Sequence, residues 1–147
     1  MIYNENTEIL NDMKEEETPA GNDDHSPVFT AFMQEMINKY RVKRSDISRI
    51  TGISQDYLYK ILNGTKHTAQ RDYIIAISCA IGMNAEETQH ALSTNGMVML
   101  KDEEPRDHVI LESLNDTVSL YKLNDRLEKA GYPWLKFSKY MEEYIPD

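Results

Sequence analysis

The chain has 147 residues, 40% of them apolar, a formal net charge of −9 and a single cysteine. That length holds one compact domain or two very small ones, and one cysteine, Cys79, excludes an internal disulfide. No apolar run approaches the ~20 residues that span a bilayer, and no basic-then-apolar leader opens the chain, so a cytoplasmic protein without membrane contact is expected.

Residues 1–27 hold eight acidic residues and one lysine, a net of −7, with Pro19, Gly21 and Pro27 as breakers. They read as a disordered acidic tail, either an inert leader or a competitor for whatever the basic part of the chain binds. Residues 28–95 reverse the sign: eight basic residues stand against six acidic ones, and all eight fall between Lys39 and Arg71. From about Val28 to Tyr40, Phe29, Phe32, Met33, Met36 and Ile37 recur at helical spacing and predict a first helix with a core-facing stripe.

The stretch VKRSDISRITGISQDYLYKILNG, residues 42–64, reads as two short helices joined by a tight turn. Ile47 and Ile50 share a face of the first. Gly52 stands where the chain turns, because a residue without Cβ takes positive φ without strain. Ile53 plugs the corner, and Ser54 N-caps a second helix over Gln55 to Leu62. Leu58, Ile61 and Leu62 face inward, and Asn63-Gly64 ends the helix. Its other face carries Gln55, Asp56, Tyr59 and Lys60, with Tyr57 on the flank. A helix that presents Gln, Tyr and Lys outward after a tight turn suits a DNA major groove.

This segment resembles the helix-turn-helix of the Cro and phage-repressor type, the Xre-like family. The resemblance covers roughly Val28 to Leu92 and is strongest over Ile47–Gly64. The chain departs from the family at Lys43, where Ser or Thr usually caps the first helix, and at Leu62, a position commonly polar. The resemblance implies sequence-specific binding of double-stranded DNA.

A fourth helix is predicted over about Ala69 to Ile81, with Ile74, Ile75, Ile77, Ser78 and Ile81 inward and Gly82 as its stop. Cys79 lies in that apolar stretch and reads as a buried structural thiol. Asn84 caps a fifth helix in a capping box with Glu87, and Asn95-Gly96 closes it. Residues 71–100 then recur at 106–135 with an ungapped offset of 35. Arg71/Arg106, Asp72/Asp107, Ile75/Ile110, Ser78/Ser113, Leu92/Leu127, Gly96/Gly131 and Leu100/Leu135 are identical. A period in this range signals stacked supersecondary units that bury each other's faces. The second unit, within residues 96–147, is expected to pack on the last helices of the first. Its Leu120, Leu123, Leu127, Tyr132, Trp134 and Leu135 exceed what a lone hairpin can hide, and some are available for a dimer contact. This arrangement resembles a group of Xre-like proteins from gut Firmicutes with such a C-terminal unit. Phe137, Tyr140, Met141 and Tyr144 suggest one more amphipathic helix.

The four histidines, His25, His67, His90 and His108, show no metal-ligand spacing. No phosphate-binding glycine loop or nucleophile-and-base arrangement stands out, and helix capping accounts for Glu86-Glu87 and Asp102-Glu103-Glu104. An enzyme, a cofactor and a metal are therefore not expected. The reading is an all-α protein: a five-helix Cro/repressor-like helix-turn-helix domain extended by a C-terminal helical repeat unit. Gln55, Asp56, Tyr59 and Lys60 are the candidate base readers; Asp56 either accepts from a cytosine amino group or only favours the helix dipole. Arg41, Lys43, Arg44, Lys66 and Arg71 are the candidate phosphate contacts, with Tyr57 and Asn63 at the flanks. The partners are double-stranded DNA, a second copy of the chain, since one recognition helix reads few base pairs, and a protein partner for the C-terminal unit. The competing reading is a protein-interaction module or inhibitor that keeps the helix-turn-helix as scaffold.

Overall fold

A computed structural model describes residues 26–68 and 70–135, and those residues form seven α-helices and no strands. They are α1 (Ser26–Tyr40), α2 (Arg44–Thr51), α3 (Gln55–Leu62), α4 (Arg71–Ile81), α5 (Ala85–Thr94), α6 (Pro105–Asn115) and α7 (Leu120–Lys129). The acidic tail before Ser26 and the helix expected around Phe137–Tyr144 lie outside the described residues. Pro27, read from the sequence as a breaker, sits in the first turn of α1, where a missing N–H and a fixed φ cost a helix nothing. The fourth helix starts at Arg71 rather than at Ala69, with Gln70 extended ahead of it.

One core runs through the described residues. Phe29 and Met33 of α1, Ile47 of α2, Leu58 of α3 and Ile74 of α4 are all buried, and so are Leu92, Ile110 and Leu127 further along. Each such side chain contributes about 1.5–3 kcal/mol relative to exposure. α4 packs on α2, α5 on α1, and α6 on α7. Among the described residues no helix is long and apolar enough to cross a membrane. Cys79 is buried, with its thiol near the Val118 carbonyl, and burial pushes that thiol up to about 12.

The matching halves of the sequence make matching bonds. Ser78 O accepts from Met83 N–H, and Ser113 O accepts from Val118 N–H, closing α4 and α6 in the same way. Asn84 and Ser119 both cap the next helix through a side-chain oxygen. Leu100 N–H donates to Gln89 Oε1 at 2.8 Å, and Leu135 N–H donates to Asn124 Oδ1 at 2.8 Å. Gly82 bends the chain at φ 104, and its counterpart Thr117 bends it at φ 52, a left-handed conformation that costs an L-residue about 1–2 kcal/mol.

The two units then clasp each other. Arg71 donates to Asp107 at 2.8 Å and to the Met99 carbonyl at 3.2 Å. Arg106 donates to Asp72 at 3.1 Å and to the Trp134 carbonyl at 3.2 Å. Each arginine thus holds the C-terminal strap of its own unit and the first-turn aspartate of the other. The helix pairing is reciprocal too, α4 with α7 and α5 with α6. When residue i meets j′ and j meets i′, the surface is isologous, as in a two-fold dimer. Here the dimer-like contact is inside one chain. It hides most of the apolar surplus: Leu120, Leu123, Leu127 and Leu135 are buried, and Tyr132 packs half-buried against the core.

α1 is tied to α5 by a second use of the capping box. Glu87 accepts from Asn84 N–H at 3.0 Å, and the same carboxylate accepts from Tyr40 Oη at 2.6 Å and from Lys39 Nζ. Burial alone raises the Glu87 carboxyl, but the hydrogen bonds from Lys39, Tyr40 and Asn84 outweigh it and hold the group below the usual 4.5. A folded value below the unfolded one stabilises the fold above the unfolded value and loses that contribution as pH falls through the folded one. Acid titration of stability should therefore show wild type losing its advantage over Glu87→Gln below about pH 4.5; an advantage that persists at low pH shows that Glu87 acts by packing instead.

Candidate nucleic-acid interface

The turn between α2 and α3 is built from short polar side chains that satisfy its backbone. Gly52 takes φ 80 and donates its N–H to Ser48 O at 2.8 Å. Thr51 Oγ1 donates to Ile47 O at 2.8 Å and accepts from Ile53 N–H at 3.2 Å. Ser48 Oγ donates to the Ile53 carbonyl. Ile53 is buried at the corner, and Ser54 Oγ accepts from Tyr57 N–H at 3.1 Å. With Leu58, Ile61 and Leu62 buried beneath it, α3 can present only one face to solvent. At its far end Asn63 Oδ1 accepts from Thr65 N–H, and Lys66 N–H donates to Lys60 O, which fixes the loop after the helix.

Gln55, Asp56 and Tyr59 lie exposed on that face, Tyr59 at 57%. Lys60 is half-buried and pairs with Asp56 at 3.3 Å one turn earlier. Arg49 pairs with Asp46 at 2.8 Å on α2. Both carboxylates near the turn therefore have cations of their own, although the Asp56 side chain stays 78% exposed. Tyr57 points partly inward and meets Tyr73 edge-to-face at 5.8 Å, so its ring belongs first to the packing of α3 on α4.

Arg41, Lys43 and Arg44 cluster between α1 and the start of α2, and all three are exposed. Arg41 takes φ 55 and closes α1, with Val42 N–H reaching back to Ile37 O. Lys43 occupies the N-cap of α2 in an extended conformation with no side-chain bond to the helix, so its side chain does not satisfy the first N–H groups of α2. Arg44 donates to Gln34 of α1. Gln34 also lines, with Pro27, Thr30, Asn63 and Gly64, an open groove of about 450 Å³ between α1 and the end of α3. In the sequence Gln34 is marked only by the run of small and polar residues at 27, 30, 31 and 34, which leaves room beside α1. Arg71 stands apart from this surface, since Asp107 and the carbonyls of the 98–99 strap engage its guanidinium.

Among the described residues no group of three His, Cys, Asp or Glu side chains is placed to hold a metal ion. No protein-family model, curated protein or solved structure matches the chain.

Proposed function

We propose that this chain is a sequence-specific DNA-binding transcriptional regulator of the helix-turn-helix kind, in which α3 enters a major groove. The observation that carries the reading is the outward face of α3. Gln55 and Tyr59 stand exposed on a helix whose entry turn and exit loop are both fixed by hydrogen bonds, and Arg41, Lys43 and Arg44 lie exposed ahead of it. Glutamine offers paired donor and acceptor groups to adenine, and a tyrosine ring suits a thymine methyl. Lys43, Arg44 and Lys66 supply phosphate contacts that hold register without reading sequence. Arg71 is left out of that set. A helix of this length reads few base pairs, so two copies on adjacent half-sites complete the proposal.

Purified full-length protein mixed with fragmented genomic DNA should retain a recurrent sequence. On that sequence Gln55→Ala should lose roughly 1–3 kcal/mol of discrimination at one base pair. Arg44→Ala should instead weaken all sequences alike and reduce the salt slope by about 0.9 per lost phosphate contact. If Gln55→Ala weakens every duplex equally, α3 is not the reading helix. The competing reading, a protein-interaction module on the same scaffold, draws on the exposed Asp56 carboxylate and on the chain's net charge of −9. It predicts that no sequence is enriched and that Arg44→Ala leaves duplex retention unchanged.

A further inference from the structure

We infer that the acidic segment ahead of α1 docks on the cationic surface around α3 and competes there with DNA phosphates; the competition rests on the DNA reading, while the docking does not. Residues 1–25 carry eight acidic side chains and one lysine, a net of −7. Residues 41–66 carry six cationic side chains against Asp46 and Asp56, a net of +4, and those two acids are already paired with Arg49 and Lys60. Charge is therefore complementary between two parts of one chain. Position is complementary as well. α1 begins at Ser26, and Pro27 in its first turn lines the same groove as Asn63 and Gly64 at the exit of α3. The segment is thus rooted beside the exit of α3, next in space to the loop that carries Lys66. Its five carboxylates nearest the root, Glu15, Glu16, Glu17, Asp23 and Asp24, lie within eleven residues of Ser26, close enough to reach α3 without a long loop closure. Tethering keeps the local concentration of these carboxylates high at the surface that phosphate would occupy.

Docking and competition are separable by experiment on the full chain. Cys79 is buried and its thiol is pushed up to about 12, so a spin label directed at Glu16→Cys reacts at the new thiol. Docking predicts that the label broadens the amide signals of Tyr59 through Lys66 at low ionic strength. The broadening should weaken clearly when Glu15, Glu17, Asp23 and Asp24 of the labelled chain are changed to their amides, leaving only what the tether beside Asn63 and Gly64 produces. A label that broadens none of these signals, or broadens them equally with the neutralised segment, overturns docking. Competition predicts that neutralising all five carboxylates tightens binding of a short random-sequence duplex about tenfold at ~10 mM salt, with the gain lost near 1 M as the screening length shrinks to about 3 Å. Unchanged affinity in a form that binds duplex overturns competition. Duplex bound by neither form overturns the DNA reading, and the broadening still decides the docking.

Discussion

Asp107→Ala lowers the unfolding free energy by about 3 kcal/mol, whereas Asp72→Ala, at the symmetric position, costs only about 1 kcal/mol. The two aspartates make the same ion pair in opposite directions, but their surroundings differ. The Asp107 side chain is 8% exposed and also accepts from Lys101 N–H at 2.9 Å; Asp72 is 26% exposed. Removing one member of a buried pair leaves the other charge desolvated and costs about 3–5 kcal/mol. Arg71 retains 26% exposure, which places the loss at the low end, and solvated pairs are worth about 0–1 kcal/mol. Urea unfolding followed by fluorescence of Trp134, the single tryptophan, measures both. Equal losses would mean that the clasp works by shape and that burial of the pair is irrelevant. Arg71→Met combined with Asp107→Leu should recover part of the loss, because apolar replacement of both partners leaves no orphaned charge, while Lys101 N–H still loses its acceptor.

Leu127→Ala costs about 2–5 kcal/mol, the range for a fully buried leucine whose cavity only partly collapses. Leu127 and its counterpart Leu92 are both 0% exposed, so Leu92→Ala should fall in the same range. Against the 5–15 kcal/mol of a typical domain, either change approaches the limit of foldability. Because the units share their clasp, helical signal and Trp134 fluorescence should be lost together in Leu127→Ala. A Trp134 transition well ahead of the helical one would show that residues 106–135 melt as an appendage. Ending the chain after Gly96 removes the partner of Arg71 and the cover over α4 and α5, and that fragment should aggregate or fail to fold.

Helix ends and apolar faces were legible because their causes are local. Ser54, Gly52, Asn84 and Gly82 announce turns and caps within four residues, and α3 and α5 take the bounds that those residues set. The outward positions of Gln55, Asp56 and Tyr59 follow from the inward positions of Leu58, Ile61 and Leu62 by helical geometry alone. Long-range pairing was not legible. Asp72 and Asp107 stand in the first turns of α4 and α6, where a carboxylate has a local reason in the helix dipole, and nothing local points to their bonds to Arg106 and Arg71. Arg71 looked like part of the basic run because sequence distance places it next to Lys66, while in space it turns toward the other unit. Gln34, held by Arg44 and facing the exit of α3, shows no feature in a sequence that would separate it from any solvated glutamine.

A surface that is complementary to itself does not know which molecule its partner belongs to. The 35-residue unit recognises its twin through Arg71, Asp72, Arg106 and Asp107 in both directions, and only the short connection from Leu100 to Pro105 makes that twin the one in the same chain. The connection holds the twin at an effective concentration in the millimolar range, well above ordinary protein concentrations, so the closed chain prevails. Stiffening or shortening those few residues removes this advantage while the four side chains of the clasp stay in place, although Lys101 N–H, which donates to Asp107, lies within the connection. The same bonds then form between chains, and the product is an exchanged dimer whose interface was already complete in the monomer.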